Sequence, residues 1–349
     1  MISIVIPTKN RSEYIIRQLR YYASVRCPHG IYIGDSSDEF HAEKILYVVS
    51  ELKKEIKIVY NTYPYLNDWQ TMKKLVEIAR EKYCAYVGDD DFLIPNSLSK
   101  CAEFLENNLE YRSAQGCAIL FSLDQSGAYG HLMSFGKYWD RKEAEECNPS
   151  KRLVKFSSDY WVPLFSLHRT KEFYEDFNNS EIVPDRSFGG ELMPNHLTII
   201  RGKSKFINCL YLIRQSHDTR YMLPNLLNWL ISPHWQISFQ IFHDTLRDAL
   251  MEQEGISRDA ASEIVKEAFE KYLMSALIGN RLKGNRFIAS SIKNFAIQIP
   301  GLVQVYHRTR SIIPMFRNDM SLQRFLKSSS PYHKDFMPVY KTVTNPPRN

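Results

Sequence analysis

Three consecutive carboxylates, Asp89, Asp90 and Asp91, follow the apolar run Cys84-Ala85-Tyr86-Val87 and precede Phe92-Leu93-Ile94-Pro95. Adjacent anions repel one another and lose hydration on a crowded site, so a fold has little reason to gather three at the end of a strand. A divalent cation reverses that balance, because hard cations take oxygen ligands. The natural co-ligand of such an ion is a diphosphate, whose charge it neutralises. The same residues also fit a solvated acidic turn ahead of a helix that begins near Asn96-Ser97.

The elements that would position this triplet alternate. A β-branched strand over 2–7 leads through Thr8-Lys9-Asn10-Arg11 into a helix that carries Tyr14, Ile15, Leu19 and Tyr22, with Ser12 as its N-cap. A strand over 30–34 ends in Asp35-Ser36-Ser37 and is followed by a helix over 44–54 and a strand over 56–60. A helix over 69–83 and the strand over 84–87 bring the chain to the triplet. A helix over 97–107 and a strand over 117–121 follow. This order predicts an α/β, Rossmann-like, mostly parallel sheet flanked by helices. Ligands gather outside the carboxyl ends of such strands, where Thr8 to Asn10, Asp35 to Ser37 and Asp89 to Asp91 all fall. No Gly-x-Gly-x-x-Gly follows the first strand and no Gly-Lys-Ser/Thr loop occurs, which excludes the usual dinucleotide and triphosphate loops.

With these motifs in order, the sequence resembles a family 2-like glycosyltransferase of the GT-A fold. Ser3-Ile4-Val5-Ile6-Pro7-Thr8-Lys9-Asn10-Arg11 is similar to that family's opening strand and loop. Gly34-Asp35-Ser36-Ser37 is similar to its second turn, and Gly88 to Pro95 to its Asp-x-Asp region, in the form written by a bacterial subgroup as DDDFL-P. The resemblance covers residues 1 to about 110 closely and runs loosely to about 220. It implies that Pro7, Thr8, Asn10, Arg11, Asp35 and Ser36 hold the nucleotide. It implies too that the acidic run binds Mg²⁺ or Mn²⁺ against the donor's diphosphate. One departure is Gly88, where many relatives have Asp, so the pair among Asp89, Asp90 and Asp91 that faces the metal stays open.

Inverting glycosyl transfer needs a carboxylate base for the acceptor hydroxyl and cationic help for the leaving group. The family carries its base in a helix-start motif after the Asp-x-Asp region, which points to Glu191 in Phe188-Gly189-Gly190-Glu191-Leu192-Met193-Pro194. Its glycines allow close approach of a ligand, and its apolar flanks would raise the carboxyl pKa. The other reading is a first-turn glutamate stabilised by the helix dipole. Asp185 is the reserve for the base. Arg214 and His217, at the end of a strand over 210–215, are candidates for phosphate contact and for a late metal ligand, although imidazole suits Mg²⁺ less than softer ions. Asp68 joins the donor-binding set. Tyr63, Tyr65 and Trp69 could stack on a base or sugar, or the segment could be a turn in which Asn67 or Asp68 caps a helix. A helix over 160–168 is expected, with Arg169 and Lys171 solvated after it.

At 349 residues the chain exceeds one average domain. The expected division is a nucleotide-sugar-binding domain over 1–220 and a helical, basic region over 221–349. No signal-peptide pattern and no bilayer-length apolar run occurs, and six scattered cysteines suit the reducing cytoplasm. Residues 280–349 hold twelve Lys/Arg against two Asp, interleaved with apolar residues, while the whole chain carries only +6. Such a segment suits an anionic membrane surface at the inner face of the plasma membrane. It equally suits a helical cap or homo-oligomer contact. No nucleic-acid-binding motif is present. The donor expected is a nucleotide-diphosphate sugar, a UDP-sugar first, and the acceptor a glycan or lipid-linked glycan of surface polysaccharide synthesis. The rival readings are a sugar-nucleotide nucleotidyltransferase, against which the glycine-free first loop argues, and a non-catalytic scaffold of a polysaccharide assembly complex.

Overall fold

The computed structural model describes residues 1–139, 141–178, 180–218, 224–296 and 321–346, with backbone alone over 278–296. The chain opens with β1 (Ile2–Thr8), α1 (Ser12–Ser24), β2 (Gly30–Asp35), α2 (Glu39–Leu52), β3 (Ile58–Thr62), α3 (Asp68–Ile78) and β4 (Tyr83–Tyr86). These four strands run parallel in the order β3-β2-β1-β4. Alternation along each strand assigns side chains to two cores. Ile4, Ile6, Ile31, Ile33 and Ala85 face one layer, while Val5, Tyr32 and Cys84 face the other, against Met72, Leu75, Phe173 and Phe177.

The sheet then becomes mixed. β5 (Phe92–Leu93) and α4 (Pro95–Asn107) lead into β6 (Tyr111–Leu123) and β7 (Leu132–Trp139). Then come α5 (Pro149–Ser158), β8 (Leu167–Arg169), α6 (Thr170–Phe177), α7 (Met193–Arg201) and β9 (Lys203–Gln215). β8 is antiparallel to β4 and to β6, and β6 runs parallel to β9. The expected helix over 160–168 is absent. α5 ends at Ser158, Pro163 starts a short 3₁₀ turn, and 167–169 is a strand. Arg169 is buried rather than solvated, donating to the Leu105 carbonyl at 2.5 Å, while Lys171 is exposed.

The helices after β9 are α8 (Leu226–Leu230), α9 (Trp235–Glu254) and α10 (Arg258–Ala296). Gly255, with φ of +68°, closes α9 in the left-handed conformation that glycine adopts without strain. These helices do not form a separate C-terminal unit. Their core of Phe242, Leu246, Val265 and Phe269 is shared with Leu153, Phe188, Met193 and Leu197 from α5, α7 and the turn before α7. The helical layer thus draws on segments from both sides of β9, across the expected division at residue 220. α11 (Leu322–Leu326) and α12 (His333–Thr344) differ again, because they return to the sheet. Phe325, Phe336, Val339 and Val343 join the core of β1 and α1, and Phe135 on β7 packs edge-on to Phe325 and Phe336 at 5.1 and 5.4 Å. The basic residues over 297–320, named for membrane or oligomer contacts, lie outside the described residues.

Replacing Phe336, 1 % exposed, with Ala should cost about 3–5 kcal/mol, the usual range for emptying a buried phenylalanine site. Urea denaturation followed by fluorescence measures this, and a loss below about 1 kcal/mol would mean that α12 does not close the core.

Candidate active site

β1, β2 and β4 are adjacent and parallel, so the three polar turns that follow them meet at one edge. The first two are tied together. Asn10, at φ +54°, receives a hydrogen bond from the Asp38 amide on Oδ1, and its own amide donates to Ser37 Oγ. The Ser36 amide donates to the Thr8 carbonyl at 2.9 Å. Asp35 accepts from Tyr60 Oη at 2.6 Å and from the Ser37 amide. Asn10 and Asp35 thus shape the edge without lining the cleft beside it.

The acidic turn is held from α1. Arg17, wholly buried, donates to the Asp90 carbonyl at 2.7 Å and to Gln215 Oε1 at 2.5 Å. Its guanidinium lies over Phe92, and burial lowers its pKa to about 10. Gln18 donates to the Gly88 and Asp91 carbonyls. Sequence reasoning passed over both, although Gln18 falls among the buried positions Ile15, Leu19 and Tyr22 of that helix, where a polar residue needs a reason. Gly88 has one too: a Cβ there would lie 2.7 Å from Asp90 Oδ1.

The three aspartates take different partners. Asp91 is fully buried and points away from the cleft, accepting from Arg214 Nε at 2.6 Å and from the Gln215 amide at 3.1 Å. Its two oxygens take these two donors, which leaves Asp89 and Asp90 as the members of the run that line the cleft. Asp89 accepts from Thr8 Oγ1 at 2.7 Å and pairs with Arg11 Nη1 at 2.9 Å. Asp90 Oδ2 lies 3.0 Å from Arg11 Nη2 and 2.8 Å from His217 Nε2. Burial raises the Asp89 pKa, with help from the neighbouring acids. The Asp90 pKa is lowered against its own burial by His217 and Arg11. His217 itself stacks on Tyr14 at 4.9 Å, behind Arg11.

Of the acidic run, Asp89 and Asp90 line the cleft beside the turn and would be the carboxylates available to a divalent ion. Asp90 Oδ2 and His217 Nε2 are hydrogen-bonded at 2.8 Å, and Arg11 Nη2 lies 3.0 Å from each. Among the described residues no group of three or more His, Cys, Asp or Glu could hold a metal ion, so an ion here would depend on substrate oxygens and water for the rest of its shell.

A cleft of about 1060 Å³ opens beside the turn. Pro7, Thr8, Arg11, Ser36, Asp68, Asp89, Asp90, Arg214 and Glu191 all line it, whereas Asp185, Asp91, Asn10, Asp35 and His217 do not. Arg214 is clamped by Tyr138 Oη at 2.6 Å and lies over Phe165 at 4.2 Å. Asp68 forms a forked pair with Arg186, while the neighbouring Asn67 is the cap of α3. Trp69 lines the cleft, but Tyr65 is exposed at the surface.

Glu191 sits in a π-helical turn (Phe188–Leu192) that runs into α7. Gly190 lets this turn approach α3, since a Cβ there would lie 3.3 Å from the Trp69 side chain. Tyr160 Oη donates to Glu191 Oε1 at 3.2 Å and receives Asn195 Nδ2 at 2.9 Å. Burial pushes the Glu191 carboxyl above its ordinary range, opposed by Tyr160, Arg186 and Arg214. Nothing local to Tyr160 signals this pair, because its partner lies 31 positions away. Asp185 is spent on structure: its Oδ1 accepts from the Phe188 amide and from Trp229 Nε1, both at 3.0 Å.

No protein-family model and no curated protein matches the chain. Among solved structures, S. aureus TarS is similar. The form spanning 1–349 in complex with UDP-GlcNAc matches at 12 % identity and a TM-score of 0.47, over 78 % of this chain and 72 % of that one. Its UDP complex matches at 13 % identity and 0.46, over 87 % and 76 %. In the longer TarS structure the match spans 43 % of that chain. Among the described residues of the present chain, no helix is long and apolar enough to cross a membrane.

Asp91→Ala should leave the Arg214 guanidinium buried and unpaired and cost about 3–5 kcal/mol. The cost should be visible in urea unfolding without donor or metal present. A fully stable variant that has lost only metal affinity would return Asp91 to the ligand set.

Proposed function

We propose that the chain is a metal-dependent, inverting glycosyltransferase that moves a sugar from a nucleotide-diphosphate donor, a UDP-sugar first, to a hydroxyl of a glycan or lipid-linked acceptor. The observation that carries this reading is a single cleft onto which both the Asp89-Asp90-Arg11 cluster and Glu191 open. Two carboxylates with different partners are what donor binding and proton removal call for. The resemblance of the first three turns to the family 2-like enzymes points the same way.

In this reading Thr8, Ser36 and the edge between β1 and β2 receive the nucleoside. Arg11 and Arg214 face the diphosphate and match the charge that grows on it as the sugar leaves. A bound Mn²⁺ or Mg²⁺, held at Asp89 and Asp90, would supply further charge neutralisation to the diphosphate. Glu191 takes the proton of the acceptor hydroxyl. Tyr160 orients that carboxylate, and the low polarity around it keeps its pKa high enough for base catalysis. The basic surplus of residues 280–349 supports an acceptor presented at an anionic membrane face. Co-sedimentation with phosphatidylglycerol vesicles but not with phosphatidylcholine vesicles is the expected result, and equal partition would remove the membrane from the proposal.

Glu191→Gln should lose about 10²–10⁴-fold in transfer while binding UDP with unchanged affinity. In the wild type, kcat/KM should rise with pH through a pKa above the ordinary glutamate value, because the base works only when ionised and burial raises its pKa. That limb should vanish in the variant. Asp90→Asn should abolish the Mn²⁺ dependence of UDP binding measured by calorimetry. Full transfer by both variants would end the assignment.

A further inference from the structure

The cleft changes character along its walls. Of its charged lining residues, Lys9, Arg11, Asp89 and Asp90 belong to the strand edge and Arg214 is clamped beside it, while Asp68 comes from α3 and Arg186 and Glu191 from the segment leading into α7. Around Glu191 the walls are aromatic: Trp69, Tyr160, Trp229 and Tyr272. Tyr272 meets Tyr160 edge-on at 5.0 Å, and Trp229 is fixed by its hydrogen bond to Asp185. The polar groups contributed here by α8, α10 and the residue before α8 are neutral, namely Asn225 and Ser275. Among the described lining residues the cations that act on Glu191 are Arg186, forked onto Asp68, and Arg214, paired with Asp91.

We propose that this end of the cleft is an acceptor subsite for an uncharged saccharide and that it disfavours phosphorylated polyols. The inference rests on the glycosyltransferase reading and names its acceptor class. A sugar ring has apolar C–H faces and a polar rim. Flat aromatic walls with a few neutral hydrogen-bonding groups complement both. A phosphate in the same place would face the Glu191 carboxylate, with Arg186 already paired to Asp68 and Arg214 to Asp91. In the transfer, the acceptor oxygen bonds to the sugar's anomeric carbon as its proton passes to Glu191. The bond from that carbon to the diphosphate breaks, and the electron pair leaves with the diphosphate.

The test uses the full chain with Mn²⁺ and a panel of UDP-glucose, UDP-galactose and UDP-N-acetylglucosamine, with UDP release as the readout. Acceptor probes are lactose, cellobiose and N,N′-diacetylchitobiose against ribitol 5-phosphate and glycerol 3-phosphate. At least one neutral saccharide should raise UDP release tenfold or more above donor hydrolysis, and the phosphates should not. Tyr272→Ala should raise the acceptor KM at least tenfold while the UDP Kd stays within twofold, and Tyr272→Phe should behave as wild type. Because Tyr272 is buried, Ser275→Arg at a half-buried position gives an independent arm: it should admit the phosphates as acceptors. Stimulation by the phosphates in the wild type, or by neither set, with UDP binding intact overturns the neutral-saccharide subsite. Failure to bind UDP at all instead overturns the glycosyltransferase reading beneath it.

Discussion

Charge balance at the turn after β4 is the constraint on which the rest of the active edge depends. Three carboxylates are crowded into consecutive positions, and each is met by an arginine from elsewhere in the chain. Arg214 takes Asp91, Arg11 spans Asp89 and Asp90, and Arg17 grips the Asp90 carbonyl from beneath. The last of these is wholly buried, and the carbonyls of Ala128 and Asp90 and the side-chain oxygen of Gln215 take its two terminal nitrogens. The partners come from the loop before α1, from α1 itself and from the end of β9. The turn therefore takes its shape from two distant segments, the start of α1 and the end of β9. Its shape is set before any ligand arrives, which is what a site needs if binding energy is not to be spent on ordering it.

The same geometry divides labour among residues that are alike in sequence. Asp89, Asp90 and Asp91 are chemically identical, yet Asp91 is a structural anchor, Asp90 faces a histidine, and Asp89 answers to Thr8 and Arg11. Glu191 and Asp185 show the same contrast. The first opens on the cleft under a tyrosine hydroxyl, while the second holds the amide of Phe188 and the indole of Trp229. In both cases the direction of the side chain decides the role, and a spacing of one or six residues carries no such direction by itself.

This is also why the parallel half of the sheet was legible in the sequence and the second half was not. β1 to β4 and their helices announce themselves by continuous apolar runs and by turns with polar residues at predictable ends; the strand boundaries agree within two residues, while the start of α2 and the end of α3 each differ by five. The segment over 160–169 has aromatic and β-branched residues at spacings that suit either helix or strand, and Pro163 with the pairing of 167–169 to β4 and β6 settled it. Long-range partners left no local trace: Tyr160 with Glu191, Arg17 with Gln215, and α12 with α1. Buried polar residues on an otherwise apolar helix face were the one readable hint, at Arg17 and Gln18.

The return of α12 to the first core has a consequence for synthesis. Ile15 and Leu19 share a core with Val339 and Val343, about 320 positions further along the chain. At translation rates of roughly 5–20 residues per second, the opening βαβ units wait on the order of 15–60 s for that cover to leave the ribosome. During that interval their uncovered face is an apolar surface on a nascent chain, of the kind that holding chaperones occupy.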